Sequence, residues 1–220
     1  MNTVKCISTA VLLLTAAWTH ASITLSQSFS GGTIADGDPA GVVFSGTFNQ
    51  ANPGDHILGV TVGLNISGGY NGDLYAYLVA PNGTLVALFN QPGASAFGAG
   101  GAGMNITLQS GTSTYGSIQT AGDGYLTGSY NASGSLLAFG TSESPGGAAN
   151  GTWSLFFADM SSGGGTATLN SWSLELTVVP EPVTLALGLF VVMLVALAGL
   201  KWVWRTRRRR PCILGASYRR

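Results

Sequence analysis

The 220-residue sequence predicts an all-β protein, a jelly-roll-like β-sandwich ectodomain followed by a single C-terminal transmembrane helix. Three observations carry this. Between positions 22 and 178, short runs place apolar residues at every second position, the spacing that gives a strand one buried face. No stretch before position 183 shows the 3.6-residue recurrence of an amphipathic helix. From Val183 to Leu200 the chain runs 18 residues without a charge. As a helix that run is about 27 Å long, close to the hydrocarbon thickness of a bilayer.

Taken in order, residues 1–21 have the pattern of a secretory signal peptide. Lys5 supplies the positive charge, Val11 to Trp18 the apolar stretch and Thr19-His20-Ala21 the small-residue cleavage site. Signal peptidase is therefore an expected partner. The ectodomain, residues 22–178, then begins without a cysteine, because Cys6 precedes it and Cys212 follows it. Its stability must come from packing, and a segment of about 160 residues is long enough to bury one core.

Charge is segregated along the chain. All nine Lys and Arg are Lys5 or lie from Lys201 onward, whereas all nine acids (Asp36, Asp38, Asp55, Asp73, Asp123, Glu143, Asp159, Glu175 and Glu181) lie between. An ectodomain with acids and no Lys or Arg lacks the basic patch that phosphate neutralisation needs, which excludes nucleic acid as a partner.

The strands follow from parity. Val42, Phe44 and Phe48 share one face of a first strand. Leu58, Val60, Val62, Leu64 and Ile66 share a face, with Gly59, Thr61, Gly63 and Asn65 opposite. Leu74 to Val79 turns at Ala80-Pro81-Asn82-Gly83 into Thr84 to Phe89, a hairpin with turn residues at its middle. Met104 to Leu108 follows, then Trp153, Leu155 and Phe157, then Trp172, Leu174, Leu176 and Val178. About eight strands separated by Gly-rich turns give a sandwich.

Five segments in this order carry a resemblance. Ile34-Ala35-Asp36-Gly37-Asp38-Pro39-Ala40-Gly41, Tyr70-Asn71-Gly72-Asp73-Leu74, Ala80-Pro81-Asn82-Gly83-Thr84, Gly151-Thr152-Trp153-Ser154-Leu155 with Asp159, and Leu169-Asn170-Ser171-Trp172-Ser173-Leu174 resemble the successive signatures of the proprotein convertase P domain, or P/Homo B. The resemblance implies a jelly-roll sandwich that stabilises a neighbouring subtilisin-like serine protease. This sequence has Ser67-Gly68-Gly69 where that family usually carries a His, and it contains no catalytic domain of that kind.

The last segment, residues 179–210, holds the transmembrane helix, placed at 183–204. Eleven residues of the apolar run are Leu, Val or Phe, which favours insertion by roughly 3 to 7 kcal/mol. Trp202 and Trp204 stand where interfacial aromatics belong, and Lys201, Arg205, Arg207, Arg208, Arg209 and Arg210 place that end in the cytoplasm. Residues 211–220 form a cytoplasmic tail. Pro180 and Pro182 keep the residues before them extended, so the peptide around Glu181 is open to a protease. Pro180-Glu181-Pro182, one span and an Arg cluster together resemble the PEP-CTERM sorting signal. That resemblance implies processing by the membrane protease exosortase in an exopolysaccharide-producing bacterium.

Catalytic chemistry finds little support. A serine triad needs a His base beside a nucleophile; beyond the signal peptide only His56 remains, in a stretch with turn composition, and no Gly-x-Ser-x-Gly elbow occurs. Gly98 to Gly103 matches a dinucleotide fingerprint, but it leads into a strand, not a helix. Paired carboxylates could serve a glycosidase only with a cleft between them. The acids are read as solvated surface or as calcium ligands, the latter at Asp36, Asp38, Asp73 and Asp159, because hard oxygen donors in Gly-rich turns suit calcium. Trp153 and Trp172 share parity with aliphatic residues and belong to the core, whereas Tyr70, Tyr75 and Tyr77 form a candidate ligand strip. Asn-x-Ser/Thr sequons at Asn65, Asn82, Asn105, Asn131 and Asn150 are turn chemistry.

The expected function is a secreted, non-enzymatic structural or interaction module. It is anchored by its C-terminal helix and, once processed, displayed at the cell surface or in the extracellular matrix, where an exopolysaccharide or a surface protein would be its partner. The alternatives are a carbohydrate-binding module and an accessory P domain of a subtilisin-like endopeptidase.

Overall fold

The computed structural model describes residues 22–52, 55–140, 149–179, 188–198 and 201. Residues 1–21, expected to be a signal peptide, Pro180-Glu181-Pro182 and Arg205 to Arg220 lie outside the described residues. Among the described residues nine strands are formed: β1 (Ile23–Ile34), β2 (Val42–Phe48), β3 (His56–Gly68), β4 (Leu74–Val79), β5 (Leu85–Asn90), β6 (Met104–Gln109), β7 (Leu126–Asn131), β8 (Gly151–Asp159) and β9 (Ala167–Val179). Residues 188–198 are helical, and among the described residues no helix is long and apolar enough to cross a membrane.

The strands make an all-β sandwich of two sheets. The order β1-β9-β3-β6-β7 forms a five-stranded sheet and β2-β8-β4-β5 a four-stranded one. Four antiparallel pairs are nested in sequence: β1 with β9, β2 with β8, β3 with β6 and β4 with β5. Successive pairs fall in alternate sheets, so the chain wraps as one long folded-over ribbon. β7 is added at the edge, parallel to β6.

Parity accounts for the core. Val60, Val62 and Leu64 of β3 and Trp172, Leu174 and Leu176 of β9 face Leu74, Ala76 and Leu78 of β4 and Trp153, Leu155 and Phe157 of β8, all buried. Each such side chain contributes about 1.5 to 3 kcal/mol by leaving water. Trp153 donates its indole N–H to the Ala149 carbonyl at 3.0 Å, which satisfies the one polar atom it takes into the core. Both tryptophans expected in the core are there. The Ala80 to Gly83 turn also forms as expected: the Gly83 amide donates to the Ala80 carbonyl at 2.9 Å, and Asn82 Oδ1 accepts from the Thr84 amide at 3.0 Å.

Four expectations need correction. Leu58 does not share the buried face of Val60, because the β3 register shifts between Ile57 and Gly59; Ile57 turns inward at 4% exposure and Leu58 outward at 54%. His56 is no turn residue but opens β3 opposite Val179. Asn65 and Asn105 are strand residues paired across the β3–β6 ladder and Asn131 ends β7 opposite Gln109, so those three sequons are not turn chemistry. Finally, β1 and β7 were not anticipated as strands at all.

Candidate functional site

Three of the four aspartates singled out in the sequence gather at one end of the sandwich, each delivered by a different element. Asp36 follows β1 in a tight turn, and its carboxylate accepts hydrogen bonds from the Gly163 amide (3.2 and 3.1 Å) and the Gly165 amide (3.1 Å). It thereby fastens the β1–β2 loop to the β8–β9 loop. Asp73 closes the single 3-10 turn Asn71–Asp73 that leads into β4. Its Oδ2 lies against the same β8–β9 loop: a Cβ added to Gly164 would stand 2.8 Å from it. The Asp73 carbonyl accepts from the Met160 amide at 2.8 Å.

Asp159 ends β8 on the inward parity of Trp153, Leu155 and Phe157 and has 0% exposure. Its Oδ1 accepts from the Ser161 amide at 3.2 Å, while Oδ2 is buried with no hydrogen-bond partner. In register Asp159 stands opposite Leu74, one residue from Asp73. Partial burial raises the Asp73 carboxyl above the usual carboxylate range, and the negative charges of Asp159 and Asp36 push it the same way. Asp38 is spent locally, its Oδ1 accepting from the Ala40 amide at 3.0 Å, and no contact joins it to the other three.

Beside the aspartates a cavity of about 270 Å³ is lined by Asp73, Gln91, Ser95, Phe97 and Ser161. Phe97, 80% exposed, sits in the Gly-rich loop that runs on to β6. That loop needs glycine at Gly98, which has φ +74 and would place a Cβ 2.5 Å from the Gly72 Cα. It thus packs directly on the turn carrying Asp73. Among the described residues, no group of three or more His, Cys, Asp or Glu side chains is gathered tightly enough to hold a metal ion by itself.

Sequence reasoning missed two contributors. Asn71 is fully buried, donates its side-chain amide to the Gly124 carbonyl at 3.0 Å and leaves Oδ1 without a partner. The Gly163 to Gly165 run supplies the amides that hold Asp36. An Asn-Gly pair before Asp73 and a glycine triplet were the signals available for both.

The tyrosines divide. Tyr75 and Tyr77 alternate with buried Leu74, Ala76 and Leu78 and so stand on the outer face of the four-stranded sheet. Phe156, on the outward parity of β8, stacks on Tyr77 with centroids 4.6 Å apart at 13°, and Tyr75 meets both edge-on at 5.9 and 6.2 Å. Exposed Val43, paired with Phe156, and exposed Leu85, paired with Val79, extend this apolar face. The stacked faces of Tyr77 and Phe156 are turned on each other. Tyr70 belongs instead to the aspartate end, where it packs against Gly72 and Gly164.

Nothing at either place resembles a catalytic base with its nucleophile. His56 begins β3, and its neighbour Asp55 accepts from the Asn52 amide at 2.8 Å instead of orienting an imidazole. Pro180, Glu181 and Pro182, expected from the sequence to form a sorting motif, lie outside the described residues, as do Arg205, Arg207, Arg208, Arg209 and Arg210; Lys201 is exposed.

The family described as the proprotein convertase P-domain matches residues 57–176, from β3 into β9. No curated protein matches. Similar solved structures include a serine protease of Aeromonas sobria, 16% identical over 71% of this chain, with a TM-score of 0.45. A second is that protease in complex with its chaperone, 14% identical over 73% of this chain, with a TM-score of 0.44. The chain spans 27% of the length of either.

Proposed function

The chain belongs to the proprotein convertase P-domain family, and on that premise we propose that it is an exported, non-catalytic interaction module displayed at the cell surface. The observation that carries this reading is the extent of the family match, which takes in seven of the nine strands and both sheets. P domains are non-catalytic accessory domains, and this chain covers only the P-domain-like part of the proteases it is similar to. The nested strand pairs support reading the sandwich as a jelly roll.

Export and display rest on the sequence. The signal peptide, the apolar run from Val183 to Leu200, Pro180-Glu181-Pro182 and the Arg cluster support passage outward, anchoring by a C-terminal helix and release by exosortase. Reporter fusions test the topology. A periplasmic reporter placed after Asp123 is expected to be active and a cytoplasmic one silent; the reverse overturns the reading. Mass spectrometry of the mature protein is expected to find no peptide beyond Arg205, and an intact Arg220 would mean a permanent anchor.

A second reading, accessory to a subtilisin-like endopeptidase, is favoured by the apolar face around Tyr75, Tyr77 and Phe156. Its exposed Val43 and Leu85 suit a protein partner. A glycan partner draws less support from that face, since the stacked ring faces are spent on each other instead of lying open to a sugar. Binding of the purified chain to a subtilisin-like protease, weakened by Val43→Asp, separates this reading from retention on polysaccharide.

A further inference from the structure

We propose that Asp73 and Asp159 hold one calcium ion at the end of the sandwich, with Asp36 adding charge at its rim. The argument begins with Asp159. A carboxylate on the core parity of a strand, with one oxygen buried and unpartnered, carries a desolvation cost that the single amide bond to its other oxygen offsets only in part. The ectodomain has no Lys or Arg to offer, since all of them lie before position 22 or from 201 onward. Two further carboxylates converge on the same place, Asp73 through its contact with Gly164 and Asp36 through the amides on either side of that glycine. A cation placed among these carboxylates offsets their mutual repulsion and the desolvation of the buried oxygen.

The donors select the ion. All are oxygens, with no histidine or cysteine among them, which disfavours zinc and the softer transition metals. The two carboxylates do not close a metal-holding group with a third, so the coordination must be completed by backbone carbonyls and water. Calcium accepts that mixed, irregular shell of six to eight oxygens, whereas magnesium demands near-octahedral geometry. Asp38 takes no part, because its carboxylate already caps its own turn. This site does not depend on which partner the module meets.

The test uses the full-length chain in detergent. Calcium is titrated by isothermal calorimetry, and thermal melts are compared in calcium and in chelator. The expected result is one saturable site per chain. At calcium about a hundred times the dissociation constant, the melting temperature is expected to rise by roughly 5 to 10 °C. Asp159→Asn and Asp73→Asn are expected to abolish both effects and Asp38→Asn to leave them intact. Asp159→Asn buries an amide, so the half-buried Asp73 position decides if the first variant fails to fold. Three outcomes overturn the proposal: no saturable heat up to roughly 10 mM calcium, about ten times the weak end of extracellular calcium sites; equal loss in Asp38→Asn, which would mean diffuse attraction to an acidic surface; or full binding by Asp73→Asn.

Discussion

Phe29 lies across Trp172 with ring centroids 4.4 Å apart at 34°, and the two residues stand directly opposite in the ladder that joins the first strand to the last. Trp172 is buried at 1% exposure and Phe29 half-buried, so the pair closes the sandwich where its ends meet. Trp172→Ala is expected to cost about 3 to 5 kcal/mol in denaturant unfolding, the range for removing a buried large aromatic side chain. Leu58→Ser, at a position that parity alone would have buried, is expected to stay within about 0.5 kcal/mol. A large loss at Leu58 would mean that the β3 bulge is misplaced.

Gly46 of β2 leaves room for that same ring, since an added Cβ would stand 2.3 Å from the Phe29 Cδ1. A phenyl ring held between two sheets cannot swing away cheaply. Gly46→Ala is expected to destabilise by about 1 to 3 kcal/mol through overpacking. Combining it with Phe29→Ala should remove most of that added penalty, a coupling that a double-mutant cycle reads directly.

The strongest periodic elements were legible in the sequence and the partner-dependent ones were not. Val60 to Ile66 and Trp172 to Val178 alternate strictly, so their buried faces follow from spacing alone, whereas Leu74 to Val79 is apolar throughout and its inward parity is set by the fold. In β1 Leu25 and Phe29 pack against the core and Ile34 enters it at the strand's end, with Ser, Gln and Gly in between, and the strand owes its place to the ladder with β9. β7 carries a glycine at its centre and pairs parallel to β6, a register no local pattern announces. Of the four aspartates that chemistry and motif singled out, the fold brings Asp36, Asp73 and Asp159 to one end of the sandwich. Which of them the fold brings together depended on a turn around Asp38 and a glycine loop at 163–165, both settled by tertiary contacts.

Tyr130 is buried against Tyr115, with centroids 5.2 Å apart, and its hydroxyl is raised above the ordinary value of 10.0 by burial first and by Tyr115 second. A raised folded-state value means the unfolded chain ionises first. The stability tied to the neutral phenol is therefore whole below pH 10 and is lost as pH climbs from there through the folded-state value. Ultraviolet titration should show a late tyrosine that Tyr130→Phe removes, and the variant should lose less stability above pH 10 than the parent. An identical alkaline decline in both would separate Tyr130 from that loss.

The segment from Ser22 to Val179 is expected to fold by itself with a β-type circular dichroism spectrum and one cooperative melt, since among the described residues every member of the core lies within that range. It is expected to turn over neither peptide nor glycoside substrates. Reproducible turnover that disappears with His56→Ala would place catalysis in a domain that offers no base-nucleophile pair.

The position of β9 has a mechanical side. It lies between β1 and β3 in the five-stranded sheet, is antiparallel to both, and ends at Val179 where the chain leaves for its C-terminal segment. A pull applied there along the strand loads two hydrogen-bonded ladders in shear, so many bonds must yield together instead of opening one after another. A surface module tethered through this strand would resist drag on its body far better than one hung from an edge strand, which a load can unzip.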